Sequence, residues 1–236
     1  MDTRARDASW FRFLSLWSLW QAVLALVLMF VFLGGVGFDP KAPQAYAELI
    51  QASRSPAAYR LAMVLDAVTW LSLGGTFLAF GALFFSRAMT RSLFAAACGI
   101  GMLSGAIGGF LRLGATSALA SLYATGSPEQ QASALQSYLL LDPIIQAHFT
   151  AGHLLAAIAY GLIAWIALSL RGFPRWIAVW LALTALSTAT FFALDTVSVF
   201  LFPLLLLDIV AFVVALNLAM AWVFWRRPPV LAEELP

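Results

Sequence analysis

The chain has 236 residues, of which 63% are hydrophobic and 10% charged, with a mean hydropathy of +0.92. Soluble domains carry about 25% charged residues, so this composition excludes an ordinary soluble module and reads as an integral membrane protein whose first partner is the lipid bilayer. The 13 basic and 11 acidic residues leave a formal net charge of +2, and no basic patch is interleaved with aromatics, which excludes nucleic acid as a partner.

A membrane-spanning helix needs about 20 mostly apolar residues. In chain order the first apolar run, 13–35, is too long for a signal peptide and lacks a small-residue cleavage site, so it reads as the first span. A loop over 38–57 follows, with Asp39-Pro40 and Ser55-Pro56, each an N-cap residue before a proline suited to the first helical position. Between them, 42–52 can form a short interfacial helix with Tyr46, Leu49 and Ile50 on one side. Spans two and three cover 58–85 and 93–113, and the loop 123–145 repeats the device of the first. There Ser127-Pro128-Glu129-Gln130 is a capping box, Leu135, Tyr138 and Leu139 form an apolar stripe, and Asp142-Pro143 is expected to cap span four. Spans four, five and six cover 146–170, 176–194 and 203–225, and the acidic tail 228–236 is expected to be a disordered cytoplasmic segment. The expected fold is thus a single all-α domain, a bundle of six transmembrane helices with short amphipathic helices in the two longer loops. Those helices either cover loop backbone or act as a lid.

Arg4, Arg6, Arg12, Arg87, Arg91, Arg171, Arg175, Arg226 and Arg227 fall on one side of such a bundle, against Lys41, Arg54, Arg60 and Arg112 on the other. The positive-inside rule then places both termini in the cytoplasm. Trp10, Trp17, Trp20, Trp176, Trp222 and Trp225 sit near the same ends, as an aromatic belt would.

Charges inside an apolar bundle are costly and usually face its interior. Asp66, Arg112, His153, Asp195 and Asp208 all map to the outer half of the bilayer. Span three carries Gly101, Gly105 and Gly109, and Ser104, Gly108 and Arg112, at intervals of four, a pattern that lets helices approach closely in lipid. That approach would carry Arg112 toward the bundle axis, where Asp66, Asp195 and Asp208 are candidate partners; the alternative is that Arg112 snorkels to the headgroups. Asp66 and Asp208 read either as a buried ion pair with Arg112 that fixes packing, or as a proton, cation or metal site. His153 and Tyr160, seven apart, share a face that can point into the bundle, whereas His148, five before His153, does not share it. Thr184, Ser187, Thr188 and Asp195 form a stripe that could extend a polar path or simply bond locally. Asn217 is expected to bond another helix. A faint repeat relates Leu65-Asp66-Ala67-Val68 to Leu207-Asp208-Ile209-Val210.

The sequence names no cofactor. The single cysteine, Cys98, lies in an apolar run and excludes an intrachain disulfide. Lys41, the only lysine, is in a loop, which excludes a helix-borne retinal Schiff base, and no Gly-x-Ser-x-Gly or Walker-type motif occurs. If a metal binds, Asp66, His153 and Asp208 are the candidate ligands.

The stretch 152–186, with its Arg-Gly-Phe-Pro-Arg-Trp turn between two spans, together with the long first loop and Leu65-Asp66-Ala67, resembles a broad group of bacterial six-span inner-membrane proteins. The resemblance implies a location in the bacterial inner membrane and brings no activity with it. The aspartate and histidine content is also similar to that of membrane-embedded metal hydrolases of the ceramidase type, which need about three histidines at zinc; this chain has two in all. The leading expectation is therefore a protein that binds or transports a small molecule or ion in an outward-facing polar pocket built from Asp66, Arg112, His153, Tyr160, Asp195 and Asp208. The alternatives are a metal-dependent enzyme acting on a lipid-like substrate, and a structural or accessory subunit with a membrane-protein partner or a second copy of itself.

Overall fold

The computed structural model describes residues 3–36, 46–196, 208–226 and 228–231. Asp39, Pro40 and Lys41, residues 203–207 of the sixth expected span and the tail beyond Leu231 lie outside the described residues, as does the side chain of Asp195. The described chain is built of helices: α1 (Thr3–Val31), α2 (Ala47–Arg54), α3 (Pro56–Phe84), α4 (Met89–Gly101), α5 (Leu103–Leu111), α6 (Ser117–Thr125), α7 (Pro128–Ser169), α8 (Arg175–Thr196) and α9 (Leu216–Arg226). Three π-helical segments, Phe32–Val36, Arg112–Thr116 and Asp208–Ala215, follow α1, join α5 to α6 and lead into α9. Six helical runs are long and apolar enough to cross a membrane, the architecture of a multi-pass membrane protein.

The runs differ in length from the apolar segments of the sequence, because polar residues that look like span ends find partners on neighbouring helices. The first run extends from Ala5 to Val36. Within it Asp7 pairs with Arg87 at 2.5 Å, Ser15 donates to the Ala221 carbonyl at 2.5 Å and Gln21 donates to Thr76 at 3.2 Å. The Trp17 and Trp20 indoles donate to the carbonyl and hydroxyl of Ser72 on α3, at 3.0 and 3.1 Å. The third run continues through the π segment to Thr125.

The largest departure is α7. Its capping box forms as expected, with Ser127 accepting from the Gln130 amide and Gln130 accepting from the Ser127 amide. Asp142-Pro143, however, does not start a new helix, and α7 runs for 42 residues straight through Pro143. Asp142 spends its carboxylate on Tyr138 and Gln146, one turn either side, rather than on capping. At a rise of 1.5 Å per residue, α7 is about 63 Å long, about twice the thickness of a hydrocarbon layer of about 30 Å. Ser55-Pro56 is correct in position only: Pro56 opens α3, but the Ser55 side chain makes no cap hydrogen bond.

α7 packs against α8 on one side and α4 and α5 on the other, α3 packs against α1, α4 and α5, and α1 lies along α9. The glycine face of span three makes the expected close approach. A Cβ at Gly109 would lie 3.1 Å from that of Ala67, and one at Gly105 would enter the Trp70 ring, both on α3. At the end carrying the arginine turns, Phe11, Phe84, Phe173 and Phe224 form a packed aromatic group, with Phe11 and Phe224 4.9 Å apart. The tail begins in contact with this end. Gly172 holds φ at +91°, where its missing Cβ leaves room for the Val230 carbonyl, and Leu231 is buried in the core. At the opposite end a smaller core joins Leu49 and Ala52 of α2 to Tyr59, Ala62 and Met63 of α3, Ala120 of α6 and Tyr138 of α7.

Candidate functional site

The end of the bundle under α2 carries the polar cluster. α2 exposes one acid in its first turn, Glu48, and the apolar contacts of Leu49 and Ala52 hold that turn against α3 and α7. Arg112 opens the π segment, and its Nε lies 3.0 Å from Glu48 Oε1. The Nε–H is not aligned on that oxygen, so the contact is a charge pair rather than a directed hydrogen bond. Its guanidinium carbon sits 4.4 Å from the centre of the Phe149 ring. The Tyr59 hydroxyl donates to Glu48 Oε1, and the Tyr138 hydroxyl lies 3.4 Å from Glu48 Oε2 and 3.3 Å from Asp142 Oδ1. One phenol has one proton, so Tyr138 serves one carboxylate at a time.

This arrangement corrects the expected pairing. The ion-pair partner of Arg112 is Glu48, and neither Asp66 nor Asp208 touches its guanidinium closely enough to pair. Glu48 looks, in sequence, like an ordinary first-turn acid of a surface helix. Only the folding of α2 back over the bundle brings it to span three.

Deeper in, the remaining groups form a line. Asp66 on α3 lies near Trp70, one turn on, and in the electrostatic field of Arg112 and His153. Its Oδ2 is buried without a hydrogen-bond partner among the described residues. His153 stands between Trp70 and Phe191, with ring centres 5.2 and 6.0 Å away. Asp208, in the last π segment, accepts from the Ser187 hydroxyl at 2.5 Å and interacts electrostatically with His153. Tyr160 interacts in turn with Asp208 and packs edge-on to Phe77 at 4.8 Å. The order is Glu48, Arg112, Asp66, His153, Asp208, Tyr160, each within electrostatic reach of the next.

No protein-family model, curated protein or solved structure matches the chain. The site is therefore read from its own geometry.

Among the described residues no three His, Cys, Asp or Glu side chains are gathered to hold a metal ion, so Asp66, His153 and Asp208 do not meet at one point. His148 leaves the line, with Nδ1 3.0 Å from the Ser104 hydroxyl. Thr184 and Thr188 donate to the carbonyls of Trp180 and Thr184 on their own helix, and of that stripe Ser187 reaches across to Asp208. Asn217 also bonds its own helix, at the Val213 carbonyl, rather than a neighbour as expected. The side chain of Asp195 lies outside the described residues.

Two features concentrate at this site. Arg112 begins one π segment and Asp208 lies in another; such widened turns are rare and occur often at functional positions. Asp66 Oδ2, Arg112 Nε, Thr116 Oγ1 and Ser117 Oγ are four of the seven buried side-chain polar atoms that lack a hydrogen-bond partner among the described residues. Unsatisfied buried polar atoms cost free energy and call for an explanation. Here they cluster where spans three and two meet.

Proposed function

We propose that this is a membrane binding or transport protein whose intramembrane polar line takes a small cation. The observation that carries the reading is the buried, unpartnered Oδ2 of Asp66. Glu48 balances Arg112, which leaves Asp66 and Asp208 as carboxylates with only neutral or shared partners. A carboxylate in a low-dielectric bundle needs a compensating positive charge. His153, between the two, is placed to bridge them. The cytoplasmic termini belong to this reading and rest on the arginine distribution; the bacterial inner membrane belongs to it too and rests on the resemblance alone.

Labelling with a hydrophobic carbodiimide, which reacts with carboxyl groups in apolar surroundings, tests it. Modification of Asp66 should be slowed by Na⁺, K⁺, Ca²⁺ or methylammonium. Labelling at a rate that none of these cations changes would contradict the proposal. A second reading, an accessory subunit held rigid by its ion pairs, is favoured by the tie between Glu48 and Arg112 and predicts a stoichiometric membrane-protein partner on purification.

A further inference from the structure

The opposite end of the bundle carries a second feature that the cation site does not use. A cavity of about 660 Å³ lies between the start of α4, the end of α7 and the start of α8, lined among others by Arg91, Trp165, Ser169, Arg171, Gly172 and Arg175. Three guanidinium groups border one space, and among the described residues no acidic one lines it. Asp7, the one carboxylate among the described residues at this end, is already taken by Arg87 at 2.5 Å. Arg91 is held in place by its stack on Trp165, 3.8 Å from the ring centre. Arg171 and Arg175 are exposed, five-donor groups on either side of the Gly172 turn.

Guanidinium groups converging on one space recognise phosphate through paired hydrogen bonds. The first turn of α8 adds the positive end of its dipole. The flanks of the cavity are apolar and exposed: Trp165, Leu168 and Trp176 all present large surfaces outward. The cavity thus lies where an apolar belt gives way to cationic groups, the depth at which phospholipid phosphates sit.

We infer that Arg91, Arg171 and Arg175 form a binding site for a phosphate group, with Trp165 and Leu168 positioned to meet the acyl chains of an anionic phospholipid. The test uses the full chain in neutral detergent and reads thermal stability with phosphatidylglycerol, with uncharged diacylglycerol of the same acyl chains, and with inorganic phosphate. Phosphatidylglycerol should raise the melting temperature by several degrees and diacylglycerol should not. The variant carrying Arg171→Gln and Arg175→Gln should lose at least half of that shift, while the control carrying Arg12→Gln and Arg226→Gln, which removes the same charge elsewhere, should keep it. The single Arg171→Gln variant makes the same comparison if the double variant does not fold. An equal, variant-sensitive shift with inorganic phosphate assigns the site to free phosphate rather than lipid. No shift with either phosphate probe, or equal loss in the pocket and control variants, overturns the inference.

Discussion

Glu48, on the short helix between the first two spans, is ion-paired with Arg112 of the third at 3.0 Å. The pair ties a loop helix to the bundle, and it explains why Arg112 is tolerated in an apolar run. Each side chain keeps about a fifth of its surface exposed, 19% for Arg112 and 22% for Glu48. Breaking a fully buried pair costs about 3–5 kcal/mol, so here Arg112→Ala is expected to cost about 2 kcal/mol. A double-mutant cycle with Glu48→Gln, read by denaturant unfolding in detergent, should return a favourable coupling. Strictly additive losses would show that the contact contributes nothing.

The two tyrosines that reach Glu48 should not be equivalent. Tyr59 is almost fully buried and donates closely, whereas Tyr138 stands at 3.4 Å and divides its proton between Glu48 and Asp142. Tyr59→Phe is expected to cost about 1.5–3 kcal/mol, as for a hydrogen bond to a charged group, and Tyr138→Phe clearly less. Equal unfolding free energies for the two variants would contradict this ranking.

Much of the fold is legible in the sequence. Six apolar runs, the capping box at Ser127 and Gln130, Pro56 at a helix start and the small-residue face of span three all act through local chemistry, and all recur in the structure. The helix through Pro143 is not legible, because proline stops a helix only when nothing else compensates, and here Asp142 bonds along the helix instead of capping it. The π segments at Arg112 and Asp208 have no sequence signature. Glu48 was hidden because its role depends on a partner from a distant span.

Pro143 gives a direct test of that continuity. A proline inside a helix costs about 3 kcal/mol relative to alanine, and Pro143 lies on an exposed face of α7. Pro143→Ala is therefore expected to raise the melting temperature. A fall would show that the proline sets a bend the bundle needs.

Gly172 offers a test at the other end. Its φ of +91° and its contact with the Val230 carbonyl leave no room for a side chain. Gly172→Ala is expected to cost about 1 kcal/mol or more and to free the chain after Arg226. Limited proteolysis should then cut at 228–231 faster than in the parent protein; unchanged cleavage would mean that Leu231 is held without the turn.

The central claim is that Asp66 faces a cation. Its most direct test is the melting temperature of the full chain in Na⁺, K⁺, Ca²⁺ or methylammonium, each against equal ionic strength of N-methylglucamine, for the parent protein and for Asp66→Asn. At least one cation should stabilise the parent, and Asp66→Asn, still folded, should lose that response. The same cation response in both proteins, or none in the parent, would contradict it.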